Sequence, residues 1–184
     1  MQTYENAYFG LRIGFPEKWK VVSWKHAKID RSSRSAYQTR DDDLPSKGPC
    51  ASKFLFTACW YTPESEALID ADVEVSVFRL AADEDMRRSL LENHERMRAD
   101  YESNGIATSI VKEGTWTISG TDFGYVDEES KSRSGTSRYR FFFRRIDSVF
   151  WLYGKIAGHK KRAFSEAIKI VEAMTCNPGR AENQ

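Results

Sequence analysis

The feature that most restricts this chain is the stretch from Arg138 to Met174. It holds two strand-like runs, 138–145 and 149–156, joined by Ile146-Asp147-Ser148, and after Gly158 a segment, 159–174, with helical spacing. Side chains alternate faces along a strand, so this pair carries aromatic groups on both sides. The pattern predicts Tyr139, Phe141 and Phe143 on one face, and Phe142, Trp151 and Tyr153 on the other. Large apolar groups on both faces of a sheet need cover on both. The expected class is α+β: an αβα sandwich whose central antiparallel sheet is covered by amphipathic helices at about 83–104 and 159–174.

Upstream of that unit the chain supplies more strands and one helix. Leu11, Ile13 and Phe15 share a face within 8–15. Pro16 ends that run because it cannot donate to a ladder, and 20–24 then reads as the second arm of a β-hairpin, with Trp19 closing the core end. The continuous run Phe54-Leu55-Phe56, inside 52–61, predicts a central strand covered on both faces. Val73, Val75 and Val77 alternate with polar residues in 71–80, while Phe78 and Leu80 fall on the opposite parity. Met86, Leu90, His94, Met97 and Tyr101 recur at spacings of three and four. Asp83, Glu84 and Asp85 stand at the positive end of that helix and Gly105 just beyond its C-terminus. Strands follow at 108–112, 115–119 and 123–128, with turns at Gly114 and Gly120-Thr121-Asp122, and a polar loop at 129–137. All of this fits one domain, 1–176, with a long polar insertion at 25–49 and a flexible tail at 177–184.

Composition excludes several function classes. With 28 basic and 27 acidic side chains the net charge is +1, which gives no global attraction to nucleic acid or an anionic membrane. No apolar run is long enough to span a bilayer. The start of the chain lacks the basic and apolar regions of a signal peptide. The expectation is a cytoplasmic protein, with a secreted or periplasmic one as the alternative if a signal peptide precedes this sequence. Three cysteines without close pairing do not make a disulfide framework or a zinc site. Cys59 reads as a reduced core thiol, with a Cys50–Cys59 bridge as the alternative.

The familiar catalytic motifs are missing. His26, His94 and His159 show no HExxH spacing, and His94 reads as a histidine at the edge of the core. Asp41-Asp42-Asp43 lacks the spaced ligands and glycine of a calcium loop. Ser148 and Ser165 lack a G-x-S-x-G context, and 154–161 fails the phosphate-loop spacing. No catalytic residue, metal ligand or cofactor is assigned.

One anomaly stands out. The last helix opens with His159, Lys160, Lys161 and Arg162, where acidic residues would complement the helix dipole. With the free N–H groups of the first turn, and with Arg138, Arg140, Arg144 and Arg145 from the preceding hairpin, these form a candidate anion site. The competing reading pairs them with carboxylates such as Asp147 or Glu166, or leaves them in solvent.

The order of elements supports a resemblance. Tyr4-Glu5-Asn6, then Leu11-Arg12-Ile13-Gly14-Phe15-Pro16-Glu17-Lys18-Trp19, followed late by a strand pair and the helix from Phe164 to Met174, resembles the PsbP-like superfamily. That group includes the extrinsic PsbP protein of photosystem II, Ran-binding nuclear import factors and many bacterial domains. The insertion at 25–49 departs from the pattern. The resemblance implies the same αβα sandwich and, because known members act by binding other proteins, a non-enzymatic interaction or accessory domain, an adaptor. Site residues are not shared across the superfamily, so none is carried over. The expected partner is another protein, an acidic one if the basic helix start is used, and nucleic acid could bind only through that same patch. The alternatives are a small-ligand or anion-binding protein using that helix start, and an enzyme with an unrecognised site.

Overall fold

The computed structural model of the chain describes residues 1–6, 9–22, 51–62, 65–79, 85–146 and 150–176. The insertion at 25–49, Cys50, Leu80, Asp83, Glu84, Asp147, Ser148 and the tail 177–184 lie outside the described residues.

The elements run β1 (Gln2–Asn6), β2 (Leu11–Phe15), β3 (Trp19–Val22), β4 (Ala51–Thr62), β5 (Ser65–Arg79), α1 (Met86–Ser103), β6 (Ala107–Ile118), β7 (Thr121–Ser132), β8 (Gly135–Arg145), β9 (Phe150–Gly158), α2 (Lys161–Glu172) and β10 (Thr175–Cys176). They form two antiparallel sheets. The larger has seven strands in the order β3-β4-β5-β9-β8-β7-β6, and the smaller has three, β1-β2-β10. Two local meanders therefore build the large sheet, and the β5–β9 ladder, from Ala71↔Gly158 to Arg79↔Phe150, joins them.

Successive residues of β8 show how the layers are arranged. Phe142 belongs to a core with Val73, Val75, Val77, Leu152 and Ile156, closed by Ala163, Ala167, Ile170 and Val171 of α2 and by Leu11, Ile13 and Phe15 of the small sheet. Phe143 points the other way, into a smaller cluster with Met86, Val126, Phe78, Leu90 and Trp151 under α1. The chain is α+β as expected, and the small sheet shares the α2 layer.

Several local expectations are corrected. β2 and β3 are not a hairpin: β2 pairs with β1 and β10, while β3 pairs with β4 in the other sheet. The Trp19 N–H donates to the Pro16 carbonyl at 2.9 Å, so this turn is a corner between sheets, and Trp19 is fully buried beyond it. Phe54-Leu55-Phe56 is apolar for a different reason than cover on both faces. The register slips between Phe54 and Phe56, and this bulge brings Leu55 and Phe56 into the same core. Gly114 makes no turn, because β6 runs straight through it with a register shift between Ile110 and Lys112. The polar loop at 129–137 is strand almost throughout, broken only at Arg133-Ser134. Ser, Thr and charged residues fill both parities of this partly exposed sheet end, which makes a strand read as a loop. Trp151 and Tyr153 also change sides. The register Phe143↔Tyr153 and Arg145↔Trp151 sets them on the Phe143 face, while Phe142 lies opposite Gly154.

The helices follow their signals closely. The Asp85 side chain accepts from the Arg87 N–H at 2.9 Å and caps α1. At the other end Gly105, with φ of 71°, lets its N–H reach Glu102 O and that of Ile106 reach Tyr101 O, which satisfies two end carbonyls. α2 starts with Lys160 as N-cap and no side-chain capping bond.

Candidate binding cleft

α1 packs mainly on β6 and β7 and leaves a cleft between itself and the sheet. The cleft holds about 410 Å³. Its apolar lining comes from Leu90, Met97, Ile110, Val126, Tyr139, Phe141 and Tyr153, and its polar lining from Asn93, His94, Glu128, Ser130, Ser137 and Lys155. Strand periodicity explains the grouping. The registers Glu128↔Tyr139, Val126↔Phe141 and Phe141↔Lys155 set these residues on one face.

The aromatic wall is ordered. The Tyr139 and Phe141 rings lie 6.3 Å apart and 7° from parallel, and Phe141 and Tyr153 lie 6.2 Å apart at 19°. On the floor, His94 Nδ1 lies 2.9 Å from Glu128 Oε2, with both side chains largely buried. A carboxylate only accepts, so the proton sits on Nδ1. At the rim Lys155 Nζ lies 2.8 Å from Glu74 and 3.6 Å from Asp72. Burial works against the lysine charge, yet hydrogen bonding and attraction to the two carboxylates raise its pKa. Asp72 is raised from the usual carboxylate value by its own burial, against the pull of Lys155. Tyr153 is held un-ionised by burial, and the negative charges of Glu74 and Glu128 add to that.

The eight basic residues singled out from the sequence do not form one surface. Arg138, His159 and Lys160 come together at one end of the β8–β9 ladder, where Arg138 lies opposite Gly158. Arg144 and Arg145 lie at its other end, roughly 20 Å away along the strand. Most of the charges are engaged. Arg138 pairs with Glu129 at 3.2 Å, and Lys160 with Asp70 at 3.0 Å. Asp70 is buried and supplies by tertiary contact the carboxylate that the first turn of α2 lacks. Arg140 grips Asp127 through two bonds of 2.7 and 2.8 Å, and its guanidinium lies 4.8 Å from the Trp116 ring and 4.5 Å from that of Tyr125. The Arg144 guanidinium lies 5.9 Å from the Phe123 ring, and His159 Nδ1 lies 2.8 Å from Ser137 Oγ. Lys161 and Arg162 stand exposed on the first turn of α2, and Arg145 is exposed at the end of β8. Glu166 bonds Lys18.

Cys59 and Cys176 are free and buried. Burial and the nearby charge of Asp72 push the Cys59 thiol up to about 11. Among the described residues no group of three or more His, Cys, Asp and Glu is placed to hold a metal, and no helix is long and apolar enough to cross a membrane.

No family model and no curated protein matches this sequence. Solved structures do. Cyanobacterial PsbP (CyanoP) from Synechocystis sp. PCC 6803 superposes with a TM-score of 0.51 over 96% of this chain and 92% of its own, at 9% identity. The chain has a PsbP-like fold. LpqN of Mycobacterium tuberculosis, involved in cell envelope biogenesis, superposes with a TM-score of 0.54 over 91% of this chain and 83% of its own, at 13% identity. At such identity what is shared is the PsbP-like fold itself.

The cleft lay half within reach of the sequence. His94 was visible on the apolar face of its helix, and the Tyr139/Phe141 parity was readable. Glu128, Ser130 and Ser137 were missed because their segment looked like strand end and loop. The sequence offered no alternation to find them by, because every residue from Asp127 to Ser132 is polar and neither face of the strand stands out.

Proposed function

We propose that this domain is a non-catalytic accessory module that works by binding another protein, and that the cleft between α1 and the large sheet receives part of that partner. The observation that carries this reading is the stacked wall of Tyr139, Phe141 and Tyr153, half-buried and set beside polar groups on one face of a rigid sheet. Aromatic residues that keep partial exposure in a concave site are the usual anchors of recognition. The PsbP-like fold adds support, since the sequence resemblance implied partner binding without chemistry. The reading that placed an anion at the start of α2 is weaker, because Arg138, Arg140 and Lys160 are already neutralised by Glu129, Asp127 and Asp70.

The test is site-specific photo-crosslinking in the native host. A photoreactive residue at Asn93, on the cleft, is compared with one at Ser165, exposed on α2. One stoichiometric adduct from position 93 and none from 165 is the expected outcome. No adduct at 93, or equal adducts at both, overturns the assignment.

A further inference from the structure

We propose that the cleft is built for a basic side chain, an arginine guanidinium presented by the protein partner; this rests on the binding role of the cleft put forward above. Three independent features point to that chemistry.

The first is charge. The face of the sheet that carries the cleft holds three carboxylates and Lys155; Glu128 lines the cleft, while Asp72 and Glu74 lie on β5 beyond its lining. Lys155 is held by two of them. That leaves Glu128 as the carboxylate of the cleft lining without a lysine or arginine partner among the described residues, in surroundings less polar than water, where charge acts more strongly. The suppressed ionisation of Tyr153, raised in part by Glu74 and Glu128, agrees with a negative potential there.

The second is unused acceptor capacity. Glu128 is largely buried on the cleft floor. Its Oε2 meets His94 at 2.9 Å, and its Oε1 takes only a long 3.4 Å contact from Ser130 Oγ. A carboxylate has about four lone-pair sites, so roughly half of its capacity is left. A guanidinium delivers two parallel N–H groups in a fixed fork, which an ammonium cannot.

The third is the wall. Tyr139, Phe141 and Tyr153 present near-parallel rings, which suit a flat cation laid against or beside them. The chain already assembles this combination once on the other side of the same strand. Asp127, the neighbour of Glu128, holds the Arg140 guanidinium by two bonds while Trp116 and Tyr125 flank it. Alternation along β7 turns Asp127 to one face, where the arginine is internal, and Glu128 to the other. There the aromatic and carboxylate groups recur without an internal guanidinium among the described cleft-lining residues.

The experiment is an NMR titration of the intact protein with Nα-acetyl-arginine methylamide, run beside the matching lysine and norleucine compounds. The arginine compound should move the ring signals of Tyr139 and Tyr153 and the imidazole signals of His94 along a saturable curve, and the norleucine compound should not. Glu128→Gln should weaken binding by about tenfold, the loss of a charge-assisted contact. Tyr139→Leu, at a half-exposed position, should weaken it as well and covers the case in which the Glu128 variant does not fold. Equal binding of arginine and norleucine compounds, or no effect of either variant, overturns the inference. Lysine binding as tight as arginine overturns the guanidinium assignment. Crosslinking from Asn93 is read separately: an adduct there with no arginine response leaves the binding role standing and sinks only its chemistry.

Discussion

Replacing Gly154 by Ala should destabilise this protein, against the general rule for glycine in a strand. Ala in place of a strand glycine ordinarily stabilises by about 0.5–1 kcal/mol, because the unfolded chain has less freedom to lose. At Gly154 the structure reverses the sign. A Cβ there falls at 2.5 Å or less from three ring carbons of Phe142, its cross-strand neighbour. That ring cannot withdraw. It is fully buried, with Trp116 edge-on at 5.7 Å and Phe123 at 6.0 Å. Forcing a methyl into a packed core costs typically 1–3 kcal/mol, and this site sits at the upper end because the obstacle is a hemmed aromatic ring. Set against the backbone gain of about 0.5–1 kcal/mol, the net expectation is a loss of about 2 kcal/mol, which for a chain of this size lowers Tm by roughly 4–8 °C. Urea unfolding followed by tryptophan fluorescence measures it. A double-mutant cycle isolates the cause: in a Phe142→Leu background the penalty of Gly154→Ala should shrink by about 0.5–3 kcal/mol. A neutral or stabilising Gly154→Ala, or a penalty unchanged by Phe142→Leu, would refute the packing argument.

Other consequences can be checked alongside it. Asp127→Asn leaves the Arg140 guanidinium without its bidentate partner in a mostly buried setting; a loss of about 1.5–3 kcal/mol is expected in denaturant melts, and an unchanged midpoint would show that the two rings alone suffice. The Cys59 thiol, raised to about 11 from 9.0, ionises less readily folded than unfolded. Its contribution to stability is therefore complete below pH 9 and is lost as pH rises toward 11. Site-resolved alkylation should show a rate that climbs only near the upper value, and Asp72→Asn, which removes a charge that opposes the thiolate, should shift that climb to lower pH. Glu166→Gln breaks the partly exposed pair with Lys18 and should cost less than about 1 kcal/mol, diminishing in high salt.

How much of this could be read in the sequence depended on whether the controlling interactions were local. α1 was legible to within a few residues because its cap, its apolar stripe and the Gly105 stop all act within one or two turns. The valine alternation of β5 was equally plain. The partnership of β2 was not: β10 lies at the far end of the chain, and the neighbouring β1 is polar apart from Tyr4, so its sequence carries little strand signal. Trp151 and Tyr153 went to the wrong face for a simple reason. Parity carried through the turn depends on its length, which decides the face of β9 relative to β8. In the cleft, the half contributed by α1 was visible as helical periodicity. Glu128 stayed hidden because only the fold sets it on the same face as His94 and the aromatic wall.

The β5–β9 ladder has a consequence for how the protein is made. β5 leaves the ribosome about 80 residues before the end of β9. At about 5–20 residues per second, that is a wait on the order of 4–16 s. Throughout it the nascent first meander carries a β5 edge with open N–H and C=O groups, flanked by Val73, Val75 and Val77, and the strand that covers it has yet to be synthesised. Such an edge pairs readily with any extended chain. The order of translation makes this seam, rather than any single contact in the finished core, the place where two nascent copies are most exposed to joining each other.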